Sequence, residues 1–210
     1  MMTPESLQTL GALRNLGYFK WYLVPLLTFV IYVYAVEIER KNWNGILIGL
    51  LFFTGEFCWE MINGLVLYFT QHSAIWTTPA DSAYIILVGL NIEICMMFSV
   101  AGLIVTKTLP ADRNLKILGL PNRILIPVFW GIFCTLVEVI LNRWGALVWE
   151  YAWWRWPNIF LLFVGYTAPF LVITWLYDRF TLKLKARLLG IFVLIDVIMW
   201  AIFVSILKWI

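Results

Sequence analysis

Residues 45–69 read GILIGLLFFTGEFCWEMINGLVLYF. The stretch is almost wholly apolar and is broken chiefly by Glu56, Glu60 and Asn63. About 20 mostly apolar residues carry a helix across a bilayer, so this run predicts a membrane-spanning helix. Its polar interruptions follow helical spacing: Glu56, Glu60 and Asn63 stand at i, i+4 and i+7 and share one face. Fold class and candidate chemistry are therefore written in the same segment.

Five further runs of this kind lie at 21–36, 84–106, 124–142, 158–177 and 188–207. Together they predict an all-α fold, a polytopic transmembrane helix bundle of six spans. The first run is short and the second long, so their tilts must differ. Composition agrees: the chain is 63% hydrophobic and 13% charged, with mean hydropathy +0.88. An average soluble domain carries about 25% charged residues, so lipid must be the solvent for most of this surface. The net charge of +3 is no nucleic-acid footprint, because the basic residues sit in short loops between apolar runs. No linker or low-complexity tract divides the chain, which reads as one integral membrane domain over residues 1–210.

Two edge segments stand apart. Residues 144–156 hold Trp144, Trp149, Trp153, Trp154 and Trp156, but Glu150 and Arg155 interrupt them and Pro157 closes them. That is too short to span and predicts a re-entrant or interfacial segment in an aromatic belt; were it to cross, the spans would number seven. At the other end, Thr3-Pro4-Glu5 reads as N-cap, first-turn proline and first-turn acid. Leu7, Leu10, Leu13 and Leu16 then recur, so residues 3–17 predict an amphipathic interfacial helix. Cys58, Cys95 and Cys134 lie in apolar runs without metal-ligand spacing and read as small hydrophobes.

Lysine and arginine set the orientation. With six spans, the first, third and fifth loops carry Arg40, Lys41, Lys107, Arg113, Lys116, Arg123, Arg179, Lys183, Lys185 and Arg187. The opposite side holds Arg14, Lys20, Arg143, Arg155 and Lys208. Both termini are then non-cytoplasmic, in a multi-pass protein of the cell membrane or an endomembrane; a seventh span would flip one terminus. Nothing in the sequence fixes an oligomeric state.

An ionisable residue inside a span costs roughly 2.5–3.5 kcal/mol on insertion scales, so each needs a reason. Besides Glu56 and Glu60, Glu93 falls near the middle of the third run with Asn91 close by. Asp196 falls near the middle of the last, and Glu138 and Asn142 share a face near the end of the fourth. At about 1.5 Å per residue, Glu56, Glu60, Glu93 and Asp196 lie within about two turns of the midplane. No intramembrane lysine or arginine is there to pair with them, so they cannot all be ionised cheaply. A neutral carboxylic acid in an apolar cavity can donate a proton while its neighbour accepts one. The plainer reading is interhelical hydrogen bonding, worth about a kilocalorie or less per group.

Several chemistries are disfavoured. The single histidine, His72, is in a loop, there is no Glu-x-x-His pair, and no aspartate-rich motif offers magnesium to a diphosphate. A mid-span lysine for a retinal Schiff base is missing, as is a serine or cysteine with a histidine partner. The expected chemistry therefore needs no metal and no other cofactor. Aromatic residues make 18% of the chain, mostly belt and packing, yet aromatic faces also stabilise cations. Trp59, Trp76, Trp130 and Trp200 are candidate walls near the acids. Trp59, Asn63, Asn91, Glu138 and Trp200 are the candidate substrate contacts.

At Phe57-Cys58-Trp59-Glu60 the chain resembles the Trp-Glu motif of the small integral-membrane terpene cyclases of fungal meroterpenoid and indole-diterpene pathways. The run from Gly190 to Asp196 is similar to that family's final helix, which also carries an aspartate. The resemblance implies acid-initiated cyclisation of a prenyl chain or its epoxide by Glu60 and Asp196. Two departures stand out: the family has seven spans, and its asparagine three residues before the Trp-Glu pair is here Glu56. A vaguer likeness to membrane carotenoid cyclases and hydratases comes from Glu138, Asn142 and Gly145.

The leading expectation is a membrane-embedded enzyme acting on an isoprenoid or other lipid by metal-independent acid/base proton transfer. Its partners would be the lipid bilayer and a hydrophobic small-molecule substrate, with no nucleic acid. Glu60 would be the acid and Asp196 its partner, with Glu56 and Glu93 tuning them. The rival is a non-enzymatic transporter, channel or accessory subunit using the same carboxyls as a proton or cation path. A third option is a structural membrane protein with no small-molecule site. A path strings acids along the membrane normal, whereas a catalytic pocket gathers them.

Overall fold

The computed structural model describes residues 1–79 and 81–210. The chain is mostly helical, 68% of it, with seven α-helices among the described residues. A short helix, α1 (Pro4–Ala12), precedes α2 (Leu23–Glu39), α3 (Trp43–Thr70), α4 (Ile92–Thr108) and α5 (Asn122–Arg143). A π-helical turn, Leu161–Thr167, runs straight into α6 (Ala168–Arg179). The last helix, α7 (Leu182–Met199), continues as a second π-helical turn, Trp200–Ile206. Three helices are long and apolar enough to cross a membrane: Trp43–Thr70, Asn122–Arg143 and Leu182–Ile206.

Local chemistry sets the helix ends. The Thr3 hydroxyl accepts from Ser6 N at the start of α1, with Pro4 and Glu5 in its first turn. Asn42 caps α3, its side chain accepting from Gly45 N at 3.1 Å. The helix stops where Gln71 turns left-handed, at φ 50°.

α3 is the central helix, packed against α4, α7, α6 and α2. Its approach to α4 is close because both helices present glycine. A Cβ on Gly102 would lie 2.6 Å from Phe52 Cβ, and one on Gly49 would lie 3.0 Å from Leu103 Cβ. Between apolar helices in lipid, such small-residue contacts give the dispersion attraction that the hydrophobic effect cannot supply. Ile48, Leu51, Phe52, Val105, Phe170 and Ile173 fill the core below, with Phe52 stacked on Phe170 at 5.0 Å.

The two ends of the bundle differ. One end is basic and held by ion pairs: Lys107 with Glu37, and Arg113 and Arg123 with Asp178. Lys185 is 1% exposed there and donates to Asn44 and to the Tyr177 carbonyl. The other end carries a cap built from α1 and the segments 71–79, 81–91 and 144–158. Its strands β1 (Trp76–Thr77) and β6 (Val148–Trp149) pair antiparallel, Trp76 opposite Trp149, across a long sequence gap. The hairpin β2 (Ile85–Leu87) with β3 (Leu90–Asn91) also belongs to the cap, while a second hairpin, β4 (Lys116–Ile117) with β5 (Leu120–Pro121), joins α4 to α5 at the basic end. Thr3 N donates to the His72 carbonyl and Arg14 N to the Ile85 carbonyl, which tie α1 and the residues after it to the cap.

One sequence expectation needs correction: the third apolar run is not helical from residue 84; its first part folds as the β2–β3 hairpin, and α4 begins at Ile92. Residues 144–156, expected as a re-entrant or interfacial segment, contribute a strand and turns to the cap. In α1, within the expected amphipathic stretch, Ser6 and Thr9 are buried, whereas Leu7 and Leu10 are exposed.

Candidate active site

Glu56, Trp59 and Glu60 come from successive turns of α3, Glu138 comes from α5, and Gly165 and Tyr166 come from the first π-helical turn. The cap closes over them with Trp76, Gly89, Leu147 and Trp154. Together they border a cavity of about 20 Å³. One water needs about 10–15 Å³ on this scale, so the space suits a single small group.

Two of the three carboxyls, Glu60 and Glu138, are held by neutral donors. Trp76 Nε1–H donates to both oxygens of Glu60, at 3.1 and 3.2 Å. Trp149 Nε1–H donates to Glu138 Oε2 at 3.2 Å, and the Tyr166 hydroxyl donates to Glu138 Oε1. Glu56 has no side-chain hydrogen-bond partner among the described residues. The ion pairs seen among the described residues involve none of the three. Three like charges bordering one small space, without a cation, cannot all be carried at low cost.

Supporting contacts fix Trp76 over Glu60. Asn63 Oδ1 accepts from Ile75 N at 2.7 Å and Trp76 N at 3.3 Å, while its Nδ2 donates to the Trp76 carbonyl at 2.9 Å. Trp154 stacks on Trp76 at 5.5 Å and Trp59 lies tilted at 6.5 Å from it. Residue 89 has to be glycine: a Cβ there would lie 2.6 Å from Glu60 Oε2 and 2.5 Å from Trp76 Nε1.

Two apolar clefts flank the carboxyls. One, about 160 Å³, runs between α4 and α5 and reaches Glu138 and Tyr166. The other, about 350 Å³, lies between α3 and the α6 and α7 helices and reaches Glu56 and Trp59. Among the described residues no group of histidine, cysteine, aspartate and glutamate side chains converges closely enough to hold a metal ion.

The remaining sequence candidates are distributed differently from expectation. Glu93 is not at mid-span but in the first turn of α4, because the hairpin before it uses up the residues assigned to the span. Its carboxylate accepts from Tyr22, from Ser82 Oγ at 2.6 Å and from Ala83 N at 2.9 Å. Asn91 is the N-cap of α4, accepting from Ile94 N at 2.9 Å. Asn63 positions Trp76. Trp200 stacks on Phe57 at 5.9 Å, under Arg14, and is not part of the carboxyl cavity. Asp196 is buried on α7 close to Cys58, with one oxygen lacking a partner among the described residues. Cys58 is two residues from both Glu56 and Glu60, about 200° around α3, so Asp196 meets the opposite side of that helix. Glu138, expected as a substrate contact, borders the same cavity as Glu56 and Glu60. Sequence reasoning passed over Tyr166, Gly89, Trp149 and Trp154 as site residues.

The sequence model of an uncharacterized membrane protein family matches residues 3–205. A protein of Archaeoglobus fulgidus, described as an uncharacterized protein, is 41% identical over 211 residues, with 100% of each chain covered. No solved structure matches the chain.

Proposed function

The chain belongs to this family of membrane proteins, and within it we propose a membrane-embedded enzyme that moves protons on an isoprenoid or other lipid without a metal. The observation that carries the reading is the convergence of Glu56, Glu60 and Glu138 on one aromatic-walled cavity that has room for little more than one water. Neutral indole and phenol donors orient the acids without quenching them, so one acid protonates a bound group while another accepts a proton. The tryptophan faces of Trp59, Trp76 and Trp154 suit a transient positive charge on the substrate. The apolar clefts on either side fit a substrate delivered from lipid.

Six spans accommodate this site. α2 and α4 have 17 residues each, about 25 Å of helix, and the π-helical turn with α6 continues from Leu161 to Arg179. With α3, α5 and α7 they make six, one integral membrane domain with α1 in the cap. The basic end then faces the cytoplasm and the cap faces away from it. The likeness to membrane terpene cyclases enters only through Glu60, and the partner of Glu60 in this reading is Glu138, not Asp196. A proton or cation path would string its acids toward both ends of the bundle. Here Glu56 and Glu60 lie within about 6 Å along one helix, and Glu138 borders the same cavity.

The test is incubation of the purified protein, in lipid nanodiscs, with linear prenyl alcohols, their epoxides and extracted cell lipids. Isomerised, cyclised or hydrated products are expected from the wild type and not from Glu60→Gln or Glu138→Gln. A wild type that converts none of these, but carries protons across a sealed vesicle, would overturn the reading in favour of transport.

A further inference from the structure

The cleft between α4 and α5 has a shape that narrows the substrate class. Its walls run from Ile94 to Val105 on α4 and from Trp130 to Leu141 on α5. Each wall is twelve residues long, about 16 Å of helix from first to last, yet the whole cleft measures only about 160 Å³. An engineered cavity of about 150 Å³ takes up a single benzene ring. Comparable space drawn out over three turns of helix is long and thin, the form of one extended chain.

Its chemistry is equally one-sided. The lining is apolar apart from Glu138 and the Tyr166 hydroxyl, which lie toward the capped end, and the Cys134 thiol and Trp130 N–H further along. There the cleft opens onto the carboxyl cavity, since Phe98, Leu147, Glu138 and Tyr166 border both. Along its length it is open to the apolar outer surface, where Met97 is 51% and Phe133 47% exposed. A hydrocarbon chain can enter sideways from lipid without meeting water. Ala101 sits midway along the α4 wall, where its small side chain leaves the width that a larger one would take.

Resting on the proton-transfer reading, we propose that this cleft holds one linear hydrocarbon chain, isoprenoid or acyl, with its functional end against Glu138 and Tyr166. The chain lies along the bundle axis, its apolar tail toward the basic end. Among the described lining residues, Glu138 and Tyr166 are the polar groups at its capped end, while the Trp130 N–H is taken up by Thr108.

A diazirine-tagged linear prenyl alcohol, photolysed with the full chain in nanodiscs and mapped by mass spectrometry, tests this directly. Label is expected on α4 and α5 in the wild type, displaced by an untagged linear alcohol but not by a sterol. Ala101→Trp should cut that labelling at least tenfold, whereas Ala101→Ser should leave it unchanged. Label spread over the exposed faces of α2 and α7 without competition would overturn the proposal, as would undiminished labelling in a folded Ala101→Trp protein. Competed labelling of the cleft without turnover would leave the chain site standing and remove the proton-transfer reading. Turnover with label confined to the α3–α6 cleft would do the reverse.

Discussion

Two ends of one bundle bury glutamates in opposite ways. At the basic end Glu37 is 2% exposed, paired with Lys107, approached by Arg40 at 3.6 Å, and hydrogen-bonded by Asn42 at 2.7 Å. Toward the cap Glu56, Glu60 and Glu138 border a shared cavity, where Glu60 and Glu138 accept from neutral indole and phenol donors. A carboxylate locked to cations is part of the scaffold, since giving up its charge would strand its partners. Acids held by neutral donors can pass a proton without breaking the architecture. The residue type is the same at both ends; the groups that other helices bring to it decide its role.

Substitution by glutamine should separate the two. Glu60→Gln and Glu138→Gln should each lower turnover by roughly 10²–10⁴-fold, the usual contribution of a general acid or base, with thermal unfolding in detergent unchanged. Glu37→Gln should do the opposite. Breaking a fully buried pair costs about 3–5 kcal/mol, and less is expected here because Lys107 is 37% exposed. Its melting temperature should fall while turnover per folded molecule stays at the wild-type level. Equal loss of stability in both sets would erase the distinction.

A smaller effect sharpens the comparison from within the cavity. Tyr166→Phe removes a hydrogen bond to Glu138. Hydrogen bonds to charged groups contribute about 1.5–3 kcal/mol, so kcat should fall roughly tenfold to a hundredfold with KM little changed. A change in KM alone would make Tyr166 a binding contact only.

The smallest effect lies in the cap, where Glu150 is an intermediate case. It accepts from Thr3 at 3.0 Å, Thr77 at 3.2 Å and Ser6 at 3.5 Å, with no cation. Burial pushes its carboxyl above the usual range, against the pull of those hydroxyls. The folded cap therefore holds the proton to higher pH than the unfolded chain does. Docking of α1 should be firmest below the ordinary carboxylate range and weaken as pH rises through it toward the raised value. Hydrogen exchange of α1 amides across pH should follow this slope, and Glu150→Gln should flatten it.

The helices were legible because lipid demands long apolar runs, and Glu56 with Glu60 because an i, i+4 pair declares a common face. Three things were not. The β2–β3 hairpin is as apolar as a span, with Ile85, Ile86, Leu87, Val88 and Leu90, so only Gly89 and the cap residue Asn91 marked the break. That hairpin moved Glu93 to the edge of its helix. The partner of Glu60 depended on how α5 and α7 are rotated against α3, which spacing within one helix does not encode. Glu138 lies on the cavity side and Asp196 meets the other face. Lastly, the contact of Tyr166 with Glu138 rests on a π-helical turn that no residue in 161–167 announces.

The most direct measurement compares, by mass spectrometry, lipid extracts of cells producing the wild type, Glu60→Gln or no protein, at matched membrane levels. The prediction is an isomeric or hydrated lipid present with the wild type alone. Identical lipid profiles in all three, with the wild-type protein folded and inserted, would contradict it.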